Sequence, residues 1–211
     1  MITHENPWLT KGETLICFGD SITEAEDGYV EMLESAMKPA GIKVVKAGRG
    51  GDTTCKALAR LQHDVIDRKP AAVSIFLGTN DAGCGRGRWA DEPNISPEAY
   101  RVNLIHMIYI CRLAGMSKFS ITPPLWRYEG ESYAEFGDIF LPFTLAAREA
   151  ADFSKVRFVP ADTAFEKERT PQPDPNGLLF TTDGVHLSEM GNRLLAQTML
   201  NAWGMDLSIP K

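Results

Sequence analysis

Apolar residues in this chain fall into two kinds of stretch. Short runs without polar alternation lie at residues 14–18, 42–46, 71–77, 119–122 and 156–159. Among them, apolar positions return every three to four residues across 28–37, 53–67, 97–113, 139–153 and 188–203. The first kind predicts strands buried on both faces, the second amphipathic helices. Strands and helices take turns along the chain. That alternation predicts an α/β fold, a parallel sheet with helices on both faces, since parallel neighbours need a crossover between them. All strands of such a sheet end on one edge, and sites form there.

The segments that follow the strands therefore carry the functional reading. Leu15-Ile16-Cys17-Phe18 runs straight into Gly19-Asp20-Ser21, and the second strand leads to Gly48-Arg49-Gly50-Gly51-Asp52-Thr53-Thr54. The third leads to Gly78-Thr79-Asn80-Asp81 and the fourth to Pro123-Pro124-Leu125-Trp126-Arg127. Beyond the fifth, after a proline-rich loop, Asp183-Gly184-Val185-His186 stands just ahead of the last helix. Each segment alone fits an ordinary turn, because Gly, Asp, Asn and Ser all suit turns. Together they gather a hydroxyl, an imidazole, carboxylates, an amide and several glycines on one edge.

That inventory suits acyl transfer. A serine hydroxyl is a weak nucleophile and needs a base, itself oriented by a third group. Asp183 and His186 are three apart and fall on one side of a turn. The carboxylate can then accept from imidazole Nδ1–H and leave Nε2 for Ser21. Acyl transfer also needs donors aimed at the developing oxyanion. Gly51, where backbone can approach a ligand, the Asn80 amide and the Ser21 N–H are the candidates.

Composition narrows the classes. At 211 residues the chain is expected to be one domain, residues 1–211. A formal net charge of −6 argues against nucleic acid as a partner. No apolar run approaches the ~20 residues of a membrane span. Residues 1–11 lack the apolar segment of a signal peptide, so a cytoplasmic location is expected. Cys17, Cys55, Cys84 and Cys111 form no C-x-x-C pair, and His4, His63, His106 and His186 are far apart. Neither H-E-x-x-H nor a P-loop occurs, so no metal or other cofactor is expected. Cys17 and Cys111 lie in apolar segments and read as reduced core residues. Gly48-Arg49-Gly50-Gly51 lacks the third glycine of a dinucleotide fingerprint, position 53 being Thr, which weakens a nucleotide-binding reading.

The four blocks Gly19-Asp20-Ser21, Gly51 before Asp-Thr-Thr, Gly78-Thr79-Asn80-Asp81 and Asp183-Gly184-Val185-His186 occur in order. They resemble those of the GDSL, or SGNH, hydrolases. The resemblance implies a three-layer α/β/α sandwich with a flavodoxin-like, five-stranded parallel sheet. It implies Ser21 as nucleophile, His186 as base and Asp183 as its orienting group. The Ser21 and Gly51 N–H groups with the Asn80 side chain would form the oxyanion hole, and Asp20 would bond the turn. One departure is visible. Many members carry Asn a few residues before the second-block glycine, where this chain has Lys46-Ala47-Gly48, and a shift in loop rigidity is expected. Ser21 is not in a G-x-S-x-G elbow, which argues against the α/β-hydrolase fold.

The expected activity is that of a serine esterase on small-molecule esters, with O-acetyl or other short acyl groups on carbohydrates leading because of the resemblance. A lysophospholipase or thioesterase of the same fold is the nearest alternative, and a catalytically inactive binding protein is another. Trp89, Trp126, Arg127 and Tyr128 sit in edge loops and could line the substrate cleft, since rings suit a sugar face or acyl chain and Arg an anion. The two tryptophans equally suit pinning loops onto the core. Phe136, Phe140 and Phe143 have helical spacing and are assigned to core packing. The edge loops hold no long run of Leu, Ile, Met or Val, which favours short acyl groups.

Overall fold

Five strands form one parallel sheet in the order β2-β1-β3-β4-β5. They are β1 (Thr14–Gly19), β2 (Lys43–Gly48), β3 (Ala72–Phe76), β4 (Lys118–Thr122) and the two-residue β5 (Arg157–Phe158). The computed structural model describes residues 7–125, 129–130, 135–169 and 177–210, with residue 88 described by its backbone alone. Helices α1 (Ser21–Glu24), α2 (Tyr29–Met37), α3 (Thr54–Asp64), α4 (Thr79–Gly83), α5 (Pro97–Leu113), α6 (Leu141–Ser154), α7 (Ala161–Arg169) and α8 (Glu189–Ala202) cover the sheet or cross its edge. The strands and long helices lie within a few residues of their predicted places. The proline-rich stretch after β5 departs from expectation, because its first part is the helix α7. Only Ala161 and Phe165 of that helix are buried, too few apolar positions to mark a helix by period.

The sheet divides the interior into two cores, which is why its strands are apolar without alternation. Along β1, Leu15 and Cys17 point into one core with Leu33 of α2, Phe165 of α7 and Leu195 of α8. Ile16 and Phe18 point into the other with Leu61 of α3, Leu104 of α5 and Ala147 of α6. Successive side chains reach opposite faces, so a strand covered by helices on both sides is apolar along most of its length, with the small buried Ser74, Ser120 and Thr122 among the exceptions. Trp203, just past α8, is wholly buried, lies 5.1 Å from the Trp8 ring centroid and donates its indole N–H to Ser120 Oγ of β4 at 3.0 Å. The polar atom of a buried tryptophan is thereby paired.

Between β1 and β3 the direction of winding reverses, because the chain moves from β1 to β2 on one side and returns to β3 on the other. In an open parallel sheet this point leaves a crevice at the strand ends. Helix α1 lies across that crevice, packed closely on the last residue of β2. A Cβ on Gly48 would collide with the Glu24 amide nitrogen and the Thr23 carbonyl carbon. Both are backbone atoms that cannot swing aside. Gly48→Ala should therefore cost about 1–3 kcal/mol, seen as a lower urea midpoint with unchanged slope. A midpoint equal to wild type would show that α1 is not seated on β2 as described.

Candidate active site

Ser21 opens α1 directly after β1, and Asp20 caps that helix by accepting the Ile22 N–H at 3.0 Å. The turn is held from beneath by a buried guanidinium. Arg60 of α3 donates to Gly19 O at 2.7 Å and to Ala47 O at 3.0 Å, the ends of β1 and β2. It pairs with Asp52 at 2.5 Å and Asp64 at 2.9 Å, and its guanidinium carbon lies 4.3 Å from the Phe18 ring centroid. In the linear sequence Arg60 is inconspicuous. Its only linear signal is the i,i+4 spacing to Asp64, which a solvated helix face shows equally often.

After β2, Arg49–Asp52 form a turn closed by Asp52 N–H to Arg49 O at 3.2 Å, with Gly51 at φ +74° in its third position. That is the type II pattern, which needs positive φ there. Glu24 of α1 holds the turn by accepting the Gly50 N–H at 2.7 Å. A Cβ on Gly50 would stand 3.9 Å from Ser21 Cβ, so the loop lies beside the serine. Among the described residues, no acceptor is paired with the backbone N–H of Ser21 or of Gly51. Lys46 donates to Ala25 O at 3.1 Å and pairs with Glu31 at 2.5 Å, which ties β2 to the segment leaving α1.

After β3, Asn80 in α4 donates to Asp52 O at 2.9 Å and makes a long 3.5 Å contact with Asp20 Oδ2. The three loops thus meet around Asp52 and Asp20. The neighbouring Asp81 turns away to accept the Thr54 N–H and Oγ1–H at the start of α3. Burial raises its carboxyl to about 6, against the opposing pull of those hydrogen bonds.

Asp183 and His186 stand outside the sheet, at the tip of a short hairpin. Its arms pair through Thr181 and Leu187, with Thr182 N–H to His186 O and Ser188 N–H to Phe180 O, both at 2.9 Å. Asp183 Oδ1 accepts the N–H groups of Val185 at 2.8 Å and His186 at 2.7 Å, while Oδ2 meets His186 Nδ1 at 2.8 Å. His186 Nε2 lies 3.2 Å from Ser21 Oγ. Partial burial pushes the Asp183 carboxyl up, but the imidazole and the two backbone donors outweigh it and hold the group down to about 2. An anion there fixes Nδ1 as the protonated nitrogen and leaves Nε2 as acceptor toward the serine. The arrangement can remove a proton from Ser21 and return it to a leaving group.

Beside the tip lies a cavity of about 360 Å³, walled by Trp89, Phe136, Ile139, Phe140 and Val185 and bordered by Thr79. Of the four aromatic or cationic candidates, Trp89 lies on this wall, its ring against Gly83. Trp126, Arg127 and Tyr128 lie outside the described residues. Phe136 corrects the assignment to core. Gly137, at φ +67°, separates it from α6, so it leaves the helical row and lines the cavity, while Phe140 and Phe143 are buried as expected. The cavity's apolar wall is assembled from separate segments, which no run in one loop could reveal. Among the described residues, no cluster of His, Cys, Asp and Glu is placed to hold a metal ion, and no helix is long and apolar enough to cross a membrane.

Comparison with known proteins adds to this geometry. The sequence model of the GDSL-like lipase/acylhydrolase family matches residues 17–194. An acetylxylan esterase of Geobacillus stearothermophilus is 26% identical over 94% of this chain and 97% of that protein. The crystal structure of Axe2, an acetylxylan esterase of that organism, matches with a TM-score of 0.79 and 25% identity over 93% of this chain and 96% of that one. Structures of catalytic mutants of Axe2 carry alanine in place of a serine, an aspartate or a histidine. The uncharacterized lipoprotein YqeF of Bacillus subtilis is 32% identical over 52% of this chain and 48% of that protein. Esterase TesA of Pseudomonas aeruginosa is 34% identical over 49% and 50%. The matched region thus spans about half the length of each of these two relatives.

The raised carboxyl of Asp81 predicts a pH dependence. An unfolded aspartate titrates near ~3.9, so between pH ~4 and ~6 the folded chain binds more protons than the unfolded one. This group therefore makes stability fall as pH rises through that window, by on the order of 2 kcal/mol. Asp81→Asn keeps an oxygen for both Thr54 donors and cannot ionise. Urea unfolding at pH 4 and pH 7 should show wild type losing stability relative to D81N as pH rises. Parallel curves would mean that the Asp81 carboxyl is not raised in the folded chain.

Proposed function

The chain belongs to the GDSL-like lipase/acylhydrolase family and is a carboxylic ester hydrolase, and on that premise we propose a serine esterase mechanism carried by Ser21, His186 and Asp183. The observation that supports it most is the continuous line of contacts from Asp183 Oδ2 through the imidazole to Ser21 Oγ, at 2.8 and 3.2 Å. His186 takes the serine proton as Oγ attacks the ester carbonyl, and Asp183 holds the imidazolium that results. The tetrahedral oxyanion is met by the Ser21 and Gly51 N–H groups and by the Asn80 amide proton that faces only the long contact to Asp20. His186 then protonates the leaving alcohol, and water, activated by the same imidazole, releases the acid.

The proposed substrate is a short acyl group, O-acetyl in the first place, on a carbohydrate. Similarity to acetylxylan esterases over nearly the whole chain supports this choice. The cavity supports a second reading. Walls of Trp89, Phe136, Ile139, Phe140 and Val185 would accept a longer acyl chain, as a lysophospholipase or thioesterase requires.

Ser21→Ala should lower kcat by about 10⁴–10⁶-fold with the fold retained. A fluorophosphonate should label the wild type at Ser21. Turnover surviving the substitution, or labelling at another residue, would remove the serine from the mechanism.

Acyl length separates the two substrate readings. Each methylene buried in an apolar channel contributes about 0.8 kcal/mol, so an enzyme using the whole cavity gains in kcat/KM along the series. The carbohydrate-esterase reading expects p-nitrophenyl acetate or propionate to be best, with a steep drop by octanoate. A steady rise from acetate to octanoate would replace it with the second reading.

A further inference from the structure

We propose that Glu129 is a positioning residue that fixes His186 on Ser21 by clamping the hairpin bearing Asp183 and His186; the proposal rests on the esterase mechanism above. Glu129 is 3% exposed and comes from the segment after β4, far in sequence from the hairpin. Its Oε1 accepts the Phe180 N–H at 2.9 Å, and its Oε2 accepts the Thr181 N–H at 2.8 Å and the Thr181 hydroxyl at 2.6 Å. Among the described residues, no cation pairs with it. Three donors on one buried carboxylate replace the water it gave up.

The clamp reaches the tip through a directional relay. The Thr181 hydroxyl spends its hydrogen on Glu129 and accepts the Gly184 N–H at 3.0 Å, between Asp183 and Val185. The backbone reinforces the contact. Gly184 has φ +82°, and a Cβ there would stand 2.8 Å from the Glu129 carbonyl oxygen, so the tip rests directly on residues 129–130. At the hairpin's other end Ser188 Oγ donates to Leu179 O at 2.7 Å. The base is thus anchored to α8 and the tip to Glu129, while the sheet holds neither.

Without the clamp the tip can shift, and proton transfer depends steeply on the 3.2 Å separation of His186 Nε2 and Ser21 Oγ. Glu129→Gln presents an NH₂ group to donors, and Thr181→Val removes the hydroxyl link while keeping the N–H. With p-nitrophenyl acetate both should lower kcat by about 10–100-fold with KM nearly unchanged. Thr181→Ser, which restores the hydroxyl, should return kcat to near wild type and serves as the check should E129Q fold poorly. The imidazole signal supplies a readout independent of turnover. The His186 Nδ1–H, held by Asp183, should give a slowly exchanging proton resonance in wild type and T181S that exchanges faster in T181V and E129Q. Unchanged kcat and exchange in T181V would overturn the positioning role. A raised KM with kcat intact would also overturn it, and would make Glu129, which lines the cavity, a substrate-binding residue instead. Wild type without turnover but with the resonance lost in T181V would sink the esterase mechanism and leave the clamp standing.

Discussion

The buried guanidinium of Arg60 is the constraint on which the proposed nucleophile's surroundings depend. One planar group takes the carbonyls at the ends of β1 and β2 and the carboxylates of Asp52 and Asp64, all removed from water. Two carboxylates around one guanidinium carry a desolvation cost that repays only with near-complete hydrogen bonding. Here four of the five N–H donors have partners. Because Asp52 is held, its carbonyl meets the Asn80 amide, and because β1 ends on the same guanidinium, the Asp20–Ser21 turn has a fixed starting point.

The two halves of the site are built by different means. Ser21, Gly51 and Asn80 arrive at strand ends, so their mutual spacing inherits the rigidity of the ladder between β2, β1 and β3. Asp183 and His186 arrive on a hairpin that belongs to no strand of the sheet, and the imidazole makes the contact between the halves. A hydroxyl that must give up and regain a proton needs a base set by hydrogen bonds rather than by covalent neighbours. Asp183 meets this locally by binding two backbone N–H groups with one oxygen and the ring with the other.

The cavity beside the tip draws its wall from several segments. Trp89 and Phe136 rest against Gly83 and Gly87, where a missing side chain lets each ring come close to the backbone. Val185 belongs to the same hairpin that carries His186, so the cavity wall and the imidazole share one segment.

The amino-acid sequence by itself determined the sheet, its long helices and the identity of the polar groups at each strand end. These are properties of local geometry. A strand covered on both faces is mostly apolar along its length, and glycine is favoured where a turn needs positive φ, so the pattern is written into adjacent residues. The helix α7 escaped because two buried residues make too short a stripe. Only the tertiary structure decided the 3.2 Å geometry between His186 and Ser21, that Phe136 leaves the helical row for the cavity, and that Arg60 and Glu129 are buried. A charged residue reads the same in sequence whether it faces water or a ring of donors and acceptors. What separates the two cases is the partner's position, and that follows from strand order and chain crossing rather than from any neighbouring residue.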